Sequence, residues 1–146
     1  MNNRTLTSAN AIILIQVQGL FDTPQRIQGF SADNITNTDQ VDTSETSMGV
    51  DGRLSAGYVP APVRQTIMLQ ADSLSIDLFE AWDAAQQQTR DLYTAFGQIM
   101  LPATFRKYTM TRGFLRQFTR TPSLQKTLQP RSIVLEWERV LPAPFI

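Results

Sequence analysis

Short stretches of alternating or continuous apolar residues dominate the hydrophobic pattern of this chain and predict a protein built mainly of β-strands. Residues 132–140 give the clearest example, because Ile133, Leu135 and Trp137 alternate with more polar positions, as on a strand with one buried face. The predicted strands cover residues 12–18, 26–32, 53–59, 64–71, 93–101, 105–110, 114–119 and 132–140. Residues 105–110 and 114–119 are predicted to form a hairpin that turns at residues 111–113.

A single amphipathic helix is predicted over residues 73–90. Its apolar stripe recurs at helical spacing and consists of Ile76, Leu78, Phe79, Trp82 and Ala85. Ser73 or Ser75 is suited to cap the first turn, where acidic residues also favour the positive end of the helix dipole. One helix cannot bury this stripe against itself. The fold class predicted is therefore an antiparallel β-sandwich or barrel-like sheet with one flanking helix.

A long polar stretch, residues 34–57, follows the second predicted strand and overlaps the start of the third. It is either a mobile surface loop or a segment with a specific function, since structureless loops of this length are uncommon in compact domains. Residues 35–41 have the composition of an extended ribbon, and residues 48–52 place an Asp-Gly turn beside Met48 and Val50. These residues predict a protruding hairpin whose apolar tip must be covered by another surface.

The amino-acid composition narrows the range of possible functions. The 146 residues fit one domain, and the sequence holds no Cys and no His. Disulfides, thiolate nucleophiles and zinc-thiolate sites are excluded, and so is the most common general base. Phosphate-binding, dinucleotide-binding and nucleophile-elbow motifs are absent, and the acidic residues of the long loop lack the spacing of a calcium loop. We therefore expect no catalytic residues, no cofactor and no metal site.

The longest apolar run is far shorter than a membrane span, and no signal-peptide core follows residues 1–9.

The net charge of the chain is zero, but its acidic and basic residues are unevenly distributed along the sequence. Residues 1–91 carry eleven acidic and five basic side chains, whereas residues 92–146 carry two acidic and eight basic ones. This division suits self-association of identical copies, unless folding interleaves the two halves and removes the asymmetry. Basic residues also alternate with aromatic ones over residues 105–131. The alternative function that this pattern allows is a small barrel that binds single-stranded nucleic acid.

The order of several segments resembles the tail tube proteins of contractile-tailed bacteriophages. The segments that carry the resemblance are MGVDGRLSAG (48–57), LQADS (69–73), GQIMLP (97–102), KYT (107–109) and IVLEWE (133–138). The resemblance covers nearly the whole chain, so residues 1–146 are expected to form one tail-tube-like domain. It implies a structural virion protein, assembled in the host cytoplasm, that forms six-copy rings stacked around a DNA-conducting channel. A tube-initiating protein of the baseplate has the same pattern and remains open.

The implied partners are further copies of this chain, the tail sheath, the baseplate hub, the tail terminator, and the tape-measure protein and DNA inside the channel; no membrane is involved. The residues expected at contacts between subunits are Met48, Val50, Asp51, Arg53, Arg112 and Arg116. A channel that conducts DNA should not hold it through phosphate contacts. We therefore expect the basic residues of 106–131 to face other rings or the sheath, and not the channel.

Overall fold

The computed structural model describes residues 11–30 and 36–144. The strands are β1 (Ile12–Val17), β2 (Phe21–Arg26), β3 (Thr36–Thr38), β4 (Ser44–Met48), β5 (Leu54–Tyr58), β6 (Val63–Leu69), β7 (Ala95–Leu101), β8 (Arg106–Phe118) and β9 (Arg131–Pro144), and the helix is α1 (Ile76–Thr89). Seven strands form one antiparallel sheet in the order β2-β1-β7-β8-β9-β6-β3, and β4 pairs with β5 in a separate hairpin. The predicted fold class, mainly β with a single helix, is confirmed.

The sheet has two different ends. At the helix end, the chain after β2 crosses from β1 to β6: the Ile27 N–H donates to the Ile13 carbonyl (2.9 Å), and the Gln70 N–H donates to the Gly29 carbonyl (2.8 Å). A bridge between Phe30 and Leu69 completes this crossing. At the opposite, open end lie the first residues of β6 and β8 and the last residues of β7 and β9.

The helix covers the core as its apolar stripe predicts. Ile76, Leu78, Phe79 and Trp82 are buried, and they join core residues of β1, β6, β8 and β9 in one cluster. The two serines before the helix act differently from the prediction, because neither side chain caps it. The Ser75 hydroxyl instead accepts a hydrogen bond from the Gln28 N–H (2.7 Å), and the Ser73 hydroxyl donates to the Gln28 carbonyl. They fasten the helix start to the crossing segment.

The Trp137 indole occupies the centre of the sheet because two glycines make room for it. Any side chain at Gly113 would overlap the Trp137 ring, and a Cβ at Gly97 would lie 3.2 Å from the same ring. The Trp137 Nε1–H donates to the Gln65 side-chain carbonyl (2.9 Å), and the Gln65 amide donates to the Thr36 hydroxyl (3.0 Å). This chain of hydrogen bonds satisfies the polar atoms of a buried tryptophan and a buried glutamine.

The hairpin predicted over residues 105–119 is wrong. Residues 106–118 form one continuous strand, β8, which pairs with β9 along its length. The Thr-Arg-Gly sequence that predicts a turn produces a local irregularity, in which Arg112 has a left-handed backbone (φ 46°). The strand keeps its direction because both neighbouring strands continue to pair with it.

Three prolines also lie within strands. Pro24 belongs to β2, which forms one edge of the sheet, and Pro142 and Pro144 belong to the extended end of β9. Proline fits these positions because β2 has a free side, and because β9 beyond Trp137 is paired with β8 but no longer with β6. The sequence also predicts that the apolar residues Phe145 and Ile146 dock onto the fold, but both lie outside the described residues. The same is true of residues 1–9 and of Ile35, where the predicted ribbon begins.

Folding brings the acidic and basic halves of the sequence into contact. Arg120 pairs with Asp83 (2.9 Å) and Arg131 pairs with Glu80 (2.6 Å), so both links join β-strand or loop residues of the basic half to the acidic helix. Arg131 is buried, and its guanidinium also donates to the Thr119 carbonyl and lies over the Phe118 ring. Part of the predicted charge asymmetry is therefore neutralised inside the subunit.

Candidate subunit interface

The β4–β5 hairpin, residues 44–58, projects from the open end of the sheet between β3 and β6. Five residue pairs link its strands, from Ser44–Tyr58 at the base to Met48–Leu54 at the tip. All ten strand residues are exposed. The hairpin predicted from the Asp-Gly turn is present, and it extends farther along the polar stretch than its tip alone indicated.

The tip has a defined backbone. The Gly49 N–H donates to the Arg53 carbonyl (2.8 Å), and the Gly52 N–H donates to the Gly49 carbonyl (3.0 Å). The Asp51 carboxylate accepts from the Arg53 N–H (3.1 Å), so its position is set by the turn itself. Gly52 has a positive φ of 83°, a conformation that glycine adopts without steric cost. The turn therefore holds Val50 at its outermost point.

Four large apolar side chains of the hairpin are exposed to solvent. Met48 is 65% exposed, Leu54 63% and Tyr58 82%, while Val50 is fully exposed. Single exposed apolar residues are common, but four on one ribbon are typical of a surface that contacts another molecule.

Arg112 and Arg116 lie on the main sheet and are not part of the hairpin. Arg112 is 3.7 Å from Glu138 and Arg116 is 2.9 Å from Glu136, so both cations already have partners within the subunit. Arg112 also lies near Phe114, beside a shallow groove that includes Pro60 and Pro62. The structure thus brings Met48, Val50, Asp51 and Arg53 together and places the two arginines on a second surface.

Sequence reasoning missed a third group of exposed residues at the helix end. The loop between β8 and β9 is tied by a bridge between Leu124 and Leu128, which are 80% and 54% exposed. Leu74, before the helix, is 81% exposed. The sequence does contain a signal for this group, because two leucines lie four residues apart in a segment otherwise rich in Thr and Gln.

Within residues 11–30 and 36–144, no three His, Cys, Asp or Glu side chains form a group that could hold a metal ion. The one described helix is too short and too polar to cross a membrane.

The sequence matches the family model described as tail fiber protein gp32 over residues 4–141. No curated protein sequence matches it.

Several solved structures share the fold, and three of them illustrate it. A chain of the sheath-tube complex of the extracellular contractile injection system PVC, in its extended state, is 15% identical over 90% of this chain and 88% of its own, with a TM-score of 0.59. A chain of the anti-feeding prophage baseplate is 9% identical over 99% of this chain and 98% of its own, with a TM-score of 0.60. A chain of the tube-terminating cap of the same prophage is 13% identical over 99% and 94%, with a TM-score of 0.58.

These comparisons confirm the resemblance predicted from the sequence, because they join a family of tail proteins to the fold of chains from tube-bearing contractile assemblies. The model match spans nearly the whole chain, and the protein therefore belongs to the family described as tail fiber protein gp32.

Proposed function

We propose that this protein is a structural subunit of the inner tube of a contractile phage tail. Six copies form a ring, and rings stack into a tube whose channel conducts DNA. The exposed β4–β5 hairpin is the observation that carries this proposal. Its four large apolar side chains have no cover within the described part of the subunit, and a neighbouring copy supplies one.

The sheet edges support the same proposal. Among residues 11–30 and 36–144, β2 and β3 each pair with a neighbour on one side only, and unpaired strand edges are sites at which identical chains join. An edge-to-edge contact between unlike edges is heterologous, so it closes into a ring when the rotation per subunit allows. Stacking of such rings through the hairpin then gives an open tube.

The family description names a tail fiber, yet we place the subunit in the tube. The support is the fold, which is shared over 90–99% of this chain with chains of a sheath-tube complex, a baseplate and a tube cap. The assembly partners follow from this placement: the sheath around the tube, the baseplate hub below it, the terminator above it, and the tape-measure protein and DNA within it. The subunit works in the virion after assembly in the host cytoplasm.

The role is mechanical and not enzymatic. The channel is passive, so its lining has to avoid Lys and Arg clusters that would hold the DNA backbone. Arg112, Arg116, Arg120 and Arg131 are each paired with a carboxylate of the same subunit, which reduces their capacity to bind phosphate. A tube-initiating ring at the baseplate is the alternative, and it differs in forming single rings instead of tubes.

Negative-stain microscopy of the purified protein, with sedimentation of the same sample, tests the proposal. We expect rings and tubes for the unmodified chain, and single rings alone would indicate the initiator. The double variant Met48→Asp, Val50→Asp should keep the fold and lose stacking. Ala81→Asp, Ala84→Asp places the same two charges on the exposed helix face and should stack normally. A monomer at high concentration, or normal tubes from the hairpin variant, would contradict the proposal.

A further inference from the structure

An apolar cavity of about 360 Å³ lies at the open end of the sheet. The residues that line it include Val63, Ile99, Leu101, Tyr108, Val140 and Trp137. An engineered cavity of about 150 Å³ is enough to hold a benzene ring, so this one can take two aliphatic side chains.

Two polar side chains of the cavity, Gln65 and Thr36, are already engaged. Gln65 accepts from Trp137 and donates to Thr36, and the Thr36 hydroxyl donates to the Thr66 carbonyl (3.1 Å). Most of the remaining lining is apolar, so an occupant gains mainly contact with apolar walls. The chemistry of the site favours apolar side chains over a polar ligand.

The matching feature lies at the helix end of the same chain. The loop between Phe118 and Arg131 presents Leu124 and Leu128 side by side, because these residues bridge each other and the Gln129 N–H donates to the Ser123 carbonyl (3.3 Å). Both leucines are exposed. We name residues 123–129 the leucine loop.

The cavity and the leucine loop lie at opposite ends of the sheet. β6 runs from Val63 at the cavity to Leu69 beside the crossing at the helix end, and β8 runs from Tyr108 at the cavity to Phe118 at the base of the loop. At about 3.3 Å per residue, the seven residues of β6 alone separate these ends by about 20 Å. A subunit therefore cannot fill its own cavity with its own leucine loop.

We propose that the leucine loop of one copy of this chain inserts Leu124 and Leu128 into the open-end cavity of a second copy. The contact joins unlike ends, so it is heterologous and repeats head to tail. It rests on the proposed function, because it specifies one interface within the stacked assembly. The β4–β5 hairpin leaves the subunit from the same open end and would cross the same junction.

Disulfide cross-linking between two single-cysteine variants tests this pairing, since the natural chain has no cysteine. Leu124→Cys is mixed with Leu101→Cys under mild oxidation, and the linked peptide is identified by mass spectrometry. Asp22→Cys is the matched control, because it is also exposed near the helix end but lies outside the leucine loop. We expect a 124–101 heterodimer in about tenfold excess over the 22–101 product.

A second measurement follows the apolar contact itself. Leu124→Asp, Leu128→Asp should raise the concentration needed for assembly by about a hundredfold, the size expected when two leucines are lost from an apolar site. Leu74→Asp, equally exposed beside the helix start, should leave that concentration unchanged.

Failure of this inference is separable from failure of the proposed function. Rings or tubes that form without the 124–101 product would overturn the loop-to-cavity contact and leave the tube intact. A dominant 124–124 product would mean that like ends meet, and it would also overturn the inference. No assembly of any kind, with no cross-link, would overturn both.

Discussion

The packing of Trp137 shows how single residues determine the core. Its ring lies where Gly113 and Gly97 leave space, and its indole N–H donates to Gln65. The alternation of residues 132–140 predicts that Trp137 is buried. The sequence does not predict which residues make space for it, because the two glycines belong to strands distant in sequence.

Replacing Gly113 with alanine should destabilise the subunit by about 1–3 kcal/mol, because the new methyl group overlaps the Trp137 ring and the core is already closely packed. Urea unfolding followed by tryptophan fluorescence measures the change. Gly57→Ala is the control, since nothing lies within 4 Å of its added Cβ, and it should alter stability by less than about 1 kcal/mol. Equal stabilities for both variants would place Trp137 elsewhere.

Trp82 is fully buried in the helix–sheet contact, as its position in the apolar stripe predicts. Trp82→Ala should cost about 3–5 kcal/mol of subunit stability, measured by thermal or urea unfolding. The result that contradicts this assignment is a variant that folds normally but fails to assemble. Tyr58→Ala, on the exposed hairpin, should show the reverse behaviour, with little change in unfolding and weaker assembly.

At the scale of elements, a buried cation fastens the helix to the sheet. Arg131 begins β9, pairs with Glu80 of α1 and donates to the Thr119 carbonyl after β8, so it joins three parts of the chain. From the sequence alone, the charge of Arg131 predicts an exposed residue at a contact between subunits. Burial could not be predicted there, because the partner carboxylate lies fifty-one residues away.

Glu80→Gln should lower stability by about 2 kcal/mol, since it removes the negative charge that compensates the buried Arg131 and leaves a weaker hydrogen bond to a neutral amide oxygen. Arg120→Gln breaks the other helix pair but should cost less than about 1 kcal/mol, because the Arg120 side chain is 65% exposed. Denaturant unfolding of both variants compares them directly. A larger loss for Arg120 would reverse the roles assigned to the two pairs.

Element prediction succeeded where a pattern is long and periodic and failed where a local signal competes with sheet pairing. The apolar stripe of α1 and the Asp-Gly hairpin were both recovered. The Thr-Arg-Gly sequence in β8 instead gives a left-handed residue inside a continuous strand, because β7 and β9 hold both sides of it. Pro24 is tolerated in β2 for a related reason, since that strand has a free edge.

For the whole molecule, the pairing of charges argues against a nucleic-acid surface. Four of the seven basic side chains of residues 106–131 are paired with carboxylates of their own subunit, and Arg131 is buried. The sequence could predict the separation of charge along the chain but not which of these charges are neutralised in the folded subunit. The hairpin half of the candidate interface was predictable from local turn chemistry, whereas the leucine loop and the cavity depend on which ends of the sheet they occupy.

The unmodified protein should show no salt-sensitive retention on an immobilised single-stranded oligonucleotide, because paired arginines release few counterions from a phosphate backbone. A column run at rising salt measures this. Arg116→Gln should elute at the same salt as the unmodified protein. Elution that shifts with salt, and is lost in that variant, would instead support a nucleic-acid-binding barrel.

Because β4 and β5 pair with each other and not with the main sheet, hydrogen exchange in this hairpin can be used to follow the association of subunits. A ribbon of two strands without a packed face is only marginally stable in water, so amide hydrogens of residues 44–58 should exchange with solvent quickly in the lone subunit. Covering the ribbon with a neighbour removes the openings through which exchange proceeds. The deuterium uptake of these fifteen residues can be compared with that of the buried strand β6, which serves as a reference. The ratio would then measure the fraction of subunits that have assembled, and no label has to be attached to the protein.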